Sequence, residues 1–232
     1  MIETFVALLL AHVVADFLLQ PAAMASGKRR LGWLAGHGAI VALTSVAATG
    51  AIAPELAALT LAHMAIDAIK AHLRQGLGSF LGDQAAHLVV LAAFAWAFPG
   101  LWHGGLWAGL PGLSQAMTAL AGAVIAVRAG QFAVGLLMDG LGKPEMEPGL
   151  ASAGTVIGLL ERGLVFTLIL AGQPGGIGFL IAAKSVLRFG TVGSDRAVSE
   201  YVIIGTLASF GWALVVAYAT LAGLALQPPL GI

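Results

Sequence analysis

Eight apolar stretches, most of them long enough to cross a bilayer, constrain this chain more than any other feature. A helix needs about 20 apolar residues to span the hydrocarbon core. Backbone in lipid must satisfy its own hydrogen bonds, so such stretches form helices. The runs expected to be helical are 2–20, 32–51, 54–72, 83–98, 114–141, 150–172, 175–189 and 198–226. Pro21 and Pro99 stop the first and fourth runs, because proline lacks an N–H and restricts the residue before it. Pro54 opens the third, where a missing N–H costs nothing. The fourth and seventh are short and suit a tilted or re-entrant segment, which puts the count at seven or eight spans. Composition agrees, with 59% hydrophobic and 9% charged residues, whereas soluble domains carry about a quarter charged. The 32 glycines suit close helix packing in lipid. The expected fold is all-α, a polytopic helical membrane protein.

Several classes drop out. Formal net charge is zero, so nothing points to nucleic acid. Cysteine is absent, which excludes disulfides, thiolate ligands and a cysteine nucleophile. The first apolar run has no basic segment before it and carries His12 and Asp16, so it reads as a retained span and not a cleaved signal. Lys28, Arg29, Arg30, Lys70, Arg74, Lys143, Arg188 and Arg196 fall in loops or helix ends on one side, while the loops near Gly50, Gly100–Gly112 and Gln173 hold no Lys or Arg. By the positive-inside rule the basic side is cytoplasmic and both termini face away from the cytoplasm. Residues 1–98 then form an N-terminal four-helix half. Residues 99–113 form a non-cytoplasmic Gly- and Trp-rich loop, with Trp102 and Trp107 as interfacial anchors and His103 solvated. Residues 114–232 form a C-terminal helical half of the same membrane domain.

The chemistry gathers in the first half. His12 and Asp16 are four residues apart, about 40° around a helix and about 6 Å along it, so they share a face. The spacing recurs as His63 and Asp67, and reversed as Asp83 and His87. The first and third helices run inward and the fourth runs outward, so all three aspartates lie nearer the cytoplasm and all three histidines deeper. His37, near the cytoplasmic start of the second helix, comes to the same level. Charged groups inside a bilayer are costly and usually functional. The bland reading is hydrogen bonding within or between helices, but seven such residues at matched depth point to a metal site. Nitrogen and carboxylate ligands without thiolate suit a divalent ion, zinc first, with iron or manganese as alternatives. A two-metal site fits the same donor set, and some aspartates can serve instead to orient the imidazoles. Gln20 and Gln84 border the region as candidate substrate contacts. His72 reads as a surface residue.

The second half supplies charges and no ligand cluster. Glu161, Arg162, Lys184, Arg188 and Glu200 are candidates for a pocket that binds a phosphate or carboxylate group. The competing reading is that Glu161 simply pairs with Lys184 or Arg128, since membrane charges are usually paired. Lys28-Arg29-Arg30 reads as a topology signal or a contact to anionic lipid headgroups.

These phrases resemble a known family. His12-x-x-x-Asp16-Phe17-x-x-Gln20, His37, His63-x-x-x-Asp67-x-x-Lys70 and Asp83-Gln84-x-x-His87 are similar to a bacterial polytopic membrane family defined by a domain of unknown function, number 3307. Gly158-Leu159-Leu160-Glu161-Arg162, Lys184-Ser185-x-x-Arg188-Phe189 and Glu200-Tyr201-x-x-x-Gly205-Thr206 look like it too. The resemblance implies a multi-pass protein of the bacterial inner membrane and brings no activity. A looser likeness reaches membrane-bound metal-dependent hydrolases. Signatures of membrane phosphatases, rhomboids and site-two proteases are absent.

The function expected is hydrolysis near the cytoplasmic membrane surface, on a phosphoester, a lipid headgroup or a phosphorylated small molecule. An ion-activated water would attack, with Asp16 or Asp67 as general base, and Lys184, Arg188 or Arg162 would steady the developing charge. The alternatives are a divalent-metal or proton transporter and a non-catalytic assembly protein with a structural metal.

Overall fold

The computed structural model describes residues 1–144, 152–188 and 196–228, the last two of the middle stretch by backbone alone. Every regular element among them is a helix. In chain order these are α1 (Ile2–Phe17), α2 (Ala22–Gly27), α3 (Leu31–Thr49), α4 (Pro54–Lys70), α5 (Leu77–Ala97), α6 (Leu113–Val124), α7 (Gly130–Leu141), α8 (Ala153–Leu170), α9 (Gly175–Arg188) and α10 (Arg196–Ala225). A short 3-10 turn, Pro99–Leu101, follows α5, and a π-helical turn, Ile125–Ala129, joins α6 to α7.

Each apolar run forms a helix over most of its described length. By length and composition five helices can cross a membrane: α3, α5, the continuous Leu113–Leu141, α8 and α10. The fourth run is not short. α5 starts at Leu77, six residues before the expected start, and runs 21 residues. α1 ends at Phe17, ahead of the expected stop, and Pro21 instead caps the six-residue α2. The Pro21 carbonyl accepts the N–H groups of Met24 and Ala25, each at 3.0 Å. Residues 150–151 and Phe189 lie outside the described residues.

The chain forms two compact units. One is Met1–Val124 with the chain from Ala222 onward, and the other is Ile125–Leu221. The division falls within the fifth apolar run and not in the loop 99–113, because α6 packs against α1.

In the first unit α1 is the central element, packed against α3, α5 and α6, while α4 sits against both α3 and α5. Ala7, Ala11 and Ala15 are buried along α1. Such small residues let helix backbones approach closely. Gly38 of α3 leaves the space that Met64 of α4 fills. At the far end of α3, Gly50 takes a left-handed conformation (φ 66°) and closes the helix, a conformation that favours glycine. Its carbonyl accepts Leu106 N–H at 3.0 Å, and Trp107 Nε1 donates to Ala47 O at 2.8 Å. Trp102 is not an interfacial anchor. It is buried in a cluster with Val6, Ala7, Ala11, Ala48 and Met117, pinned where Thr4 Oγ1 donates to Pro99 O at 2.9 Å. His103 is exposed. Outward, Leu43, Leu61, Val89 and Trp96 are exposed, as faces toward a lipid bilayer require.

The second unit is built around the π-helical turn. Widening a helix by one residue frees carbonyls from the main-chain ladder, and here side chains take them. Trp212 Nε1 donates to Ile125 O at 3.0 Å, and Arg162 donates to Val127 O through Nε (3.2 Å) and Nη2 (3.1 Å). Gly130 provides the room, since a Cβ there would collide with Trp212 and Arg162.

The different burial of two tryptophans gives a direct check. Trp102→Ala should cost about 3–5 kcal/mol, as for large aromatic truncations in a packed core, and visibly lower the melting temperature in detergent. Trp96→Ala, at a site 76% exposed, should stay within about 0.5 kcal/mol of wild type.

Candidate metal centre

Successive helices α1, α3, α4 and α5 bring the later residues of α1 and α4 level with the earlier residues of α3 and α5. The structure accordingly gathers His12, Asp16, His37, His63, Asp67, Asp83 and His87 into one cluster. Ligand atoms of His12, Asp16, His63 and His87 all lie within 4.8 Å of one another, as do those of His37, His63 and Asp67, and those of Asp67, Asp83 and His87. The imidazoles are in contact, with ring centroids 4.2 Å apart for His63–His87, 4.8 Å for His12–His87 and 5.2 Å for His37–His63.

The shortest distances are the most informative. His37 Nε2 and His63 Nε2 are 3.1 Å apart. Asp16 Oδ1 closes one triangle on that edge at 3.2 and 3.4 Å, and Asp67 Oδ2 closes another at 3.5 and 3.4 Å. An ion held tetrahedrally at about 2.0–2.1 Å from each ligand separates its ligands by about 3.3 Å. A network of protons alone fits less well. Two facing ring nitrogens can share one proton, and Asp67 Oδ2 still has no hydrogen-bond partner.

Two lysines hold the aspartates in place. Lys28 Nζ lies 2.7 Å from Asp67 Oδ1, and Lys70 Nζ lies 2.6 Å from Asp83 Oδ2. Each lysine takes one oxygen and leaves the other, Asp67 Oδ2 or Asp83 Oδ1, buried without a hydrogen-bond partner among the described residues. The histidines show the same pattern. His87 Nδ1–H donates to Asp83 O at 2.9 Å, so its lone pair is on Nε2, which has no partner. Gln84 Nε2 donates to Asp83 Oδ2 at 3.1 Å, and its Oε1 accepts from His12 Nε2 at 3.3 Å. That leaves the His12 lone pair on Nδ1, also unpartnered. Buried polar atoms are normally satisfied, so four lone-pair-bearing atoms without partners in one cluster form a donor set suited to a cation.

The cluster is layered. Beneath His12, His63 and His87 lies a cavity of about 10 Å³ walled by Leu8, Val41, Leu59 and Leu91, room for a single water. The aspartates face the two lysines, whose side chains are 11% and 24% exposed. Anything larger than water therefore approaches from the aspartate side.

The other candidates divide. Gln84 touches His12 and Asp83. Gln20 places Nε2 in a buried position without a partner among the described residues. In the second unit, Lys184 Nζ pairs with Glu161 Oε1 at 2.6 Å. Arg162 is buried and committed to Val127 O and, through Nη1, to Ser209 Oγ at 3.2 Å. Glu200 pairs with Arg196 at an exposed position, 2.7 Å apart. The Arg188 side chain lies outside the described residues. Lys28 and Lys70 were missed as site residues. Lys28 belongs to a triplet read as a topology signal, and no local spacing ties it to Asp67. Lys70 follows Asp67 by three residues on α4, yet it reaches across to α5. The available signal was general: buried carboxylates need cations, and few cations lie near these.

Residues 4–102 match the model of a family described as "Protein of unknown function (DUF3307)". That segment is similar to this family. It contains all seven His and Asp residues of the cluster together with both lysines, while the resembling phrases around Glu161, Lys184 and Glu200 fall outside the match. The match carries no activity. No curated protein and no solved structure matches the chain.

Removing one partner of a buried ion pair leaves an uncompensated charge, at a cost of about 3–5 kcal/mol. Lys28→Met should therefore destabilise the protein by about that much, and adding Asp67→Asn should recover a large part of it. A thermal or denaturant double-mutant cycle in detergent reads the coupling.

Proposed function

We propose that the DUF3307-like segment is a membrane-embedded metal-dependent hydrolase. Its centre lies near the cytoplasmic face of a bacterial inner membrane, and its substrate is a phosphoester such as a lipid headgroup. The observation that carries this reading is the set of buried, unpartnered acceptor atoms, Asp67 Oδ2, Asp83 Oδ1, His12 Nδ1 and His87 Nε2, beside the His37–His63 pair. A divalent ion, zinc first and iron or manganese as alternatives, would be held by ligands drawn from this cluster, among them the Nε2 atoms of His37 and His63 and the open oxygen of Asp67. Bound there, such an ion acidifies a water and neutralises charge on a phosphoryl oxygen.

The chain's own residues supply the remainder. Asp16 is the cluster aspartate without a lysine partner among the described residues, which suits it to accept the proton of the attacking water. Asp67 is the weaker candidate for base, because Lys28 holds its carboxylate in the ionised, fixed state. Lys28 and Lys70 stand where the cluster meets the exterior, within reach of phosphate oxygens. We assign to them the charge-steadying role expected of Lys184, Arg188 or Arg162, because Lys184 and Arg162 are already engaged within the second unit. The apolar wall beneath the histidines excludes water other than the single molecule its cavity admits, which strengthens electrostatics at the centre.

The test begins with elemental analysis of detergent-purified protein. Wild type should carry stoichiometric zinc, iron or manganese, and His12→Ala/His63→Ala should carry less. Protons compete with a cation for imidazole, whose ordinary pKa is about 6.5, so metal content should fall as pH is lowered through about 6. Asp16→Asn should retain metal and lose about 10²–10⁴-fold in phosphoester turnover. Absence of bound ion even after reconstitution would sink the proposal. Metal uptake into proteoliposomes, without turnover of phosphoester or amide panels, would transfer the centre to a transporter.

A further inference from the structure

We infer that the centre holds two cations bridged by Asp67; this rests on the metal-binding reading above and specifies how many ions that site takes. Three ligand groups overlap in the cluster, and which residues they share decides which can be filled together. The group His12–Asp16–His63–His87 shares His63 with the second group and His87 with the third. An imidazole nitrogen binds one ion, so filling this group empties both others. The groups His37–His63–Asp67 and Asp67–Asp83–His87 share only a carboxylate, and a carboxylate can bridge two ions in sites with ions about 3.5–4 Å apart.

The unpartnered atoms favour the second arrangement. One ion in the four-residue group would leave Asp67 Oδ2 and Asp83 Oδ1 buried and unsatisfied, although both side chains are at most 4% exposed. Two ions bridged by Asp67 give each of these oxygens a cation and also use His87 Nε2 and the His37–His63 edge. Lys28 on Asp67 Oδ1 and Lys70 on Asp83 Oδ2 then fix the oxygens that do not ligate, so that the inner oxygens point at the ions. Asp16 and His12 are not needed as ligands in this arrangement and lie 3.9 Å apart, as a base and its neighbour. The net positive charge of two dications beside two lysines suits an anionic phosphoester.

The experiment uses the full chain in detergent, stripped of metal and titrated with Mn(II), with metal content and the electron paramagnetic resonance spectrum as readouts. Wild type should bind two Mn(II) per chain with an exchange-coupled spectrum. His12→Ala, or His12→Gln if the alanine variant does not elute as a folded monodisperse species, should keep both ions and the coupling. Asp83→Asn should keep a single, uncoupled ion. One Mn(II) in wild type that is lost in either His12 variant overturns the bridged pair and leaves a mononuclear centre. Two ions without exchange coupling also overturn it. No bound Mn(II) removes this inference and the metal-binding reading together.

Discussion

Burial of three aspartates among four membrane-type helices is the constraint on which the rest of this structure depends. An ionised carboxylate away from water is tolerated only when paired or bound to a cation. Asp67 and Asp83 meet this requirement with Lys28 and Lys70, both placed on the side of the cluster that remains partly open. The α1–α3 connection therefore has a structural duty. Pro21 turns the chain into α2, and α2 delivers Lys28 to a helix that comes later in sequence. Arg29 adds a second tie, donating to Ala71 O at 2.8 Å. The loop is thus bound to the end of α4 at two points.

The histidine layer needs a different condition, which is close approach. Four imidazoles in mutual contact require the backbones that carry them to lie near one another, and α1 permits this with Ala7, Ala11 and Ala15. Gly38, one residue after His37, does the same for α3 against α4 by leaving space for Met64. Apolar packing below the histidines, through Leu8, Leu56, Leu59 and Leu91, holds the layer from the other side. The centre is thereby positioned by helices and not by loops, which favours a fixed geometry.

Much of this was legible in the sequence, for identifiable reasons. Apolar runs of spanning length have one solution in lipid, so the helices followed from composition. The four-residue spacing of His12–Asp16, His63–Asp67 and Asp83–His87 fixed a shared face on each helix, and the alternating direction of the helices then fixed a shared level. What escaped depended on contacts between distant residues. Nothing near Lys28 indicates that it reaches Asp67, and nothing near Trp102 distinguishes a core tryptophan from one at a membrane interface. Leu77–Gly82 lay outside the expected run, yet it is helical, with Phe80 buried against Phe17 of α1. The π-helical turn has no local signature either, since it is stabilised by Arg162 and Trp212 from other helices.

The way charge is distributed over the four helices also bears on how the protein reaches the membrane. His12 and Asp16 lie on α1, ahead of the partners that α3, α4 and α5 supply. Asp16 lies one residue from the end of α1, where an unpaired carboxylate on an inserting helix still carries a penalty, below the about 2.5–3.5 kcal/mol of a helix centre. α1 is only 16 residues long, and its carboxylate gains the closer imidazole neighbours His37 and His63 only when α3 and α4 follow. On its own, α1 is therefore poorly suited to settle in lipid. Its polar face is covered only when α3 and α5 pack on it, so the placement of α1 and the assembly of the His/Asp cluster depend on the same contacts.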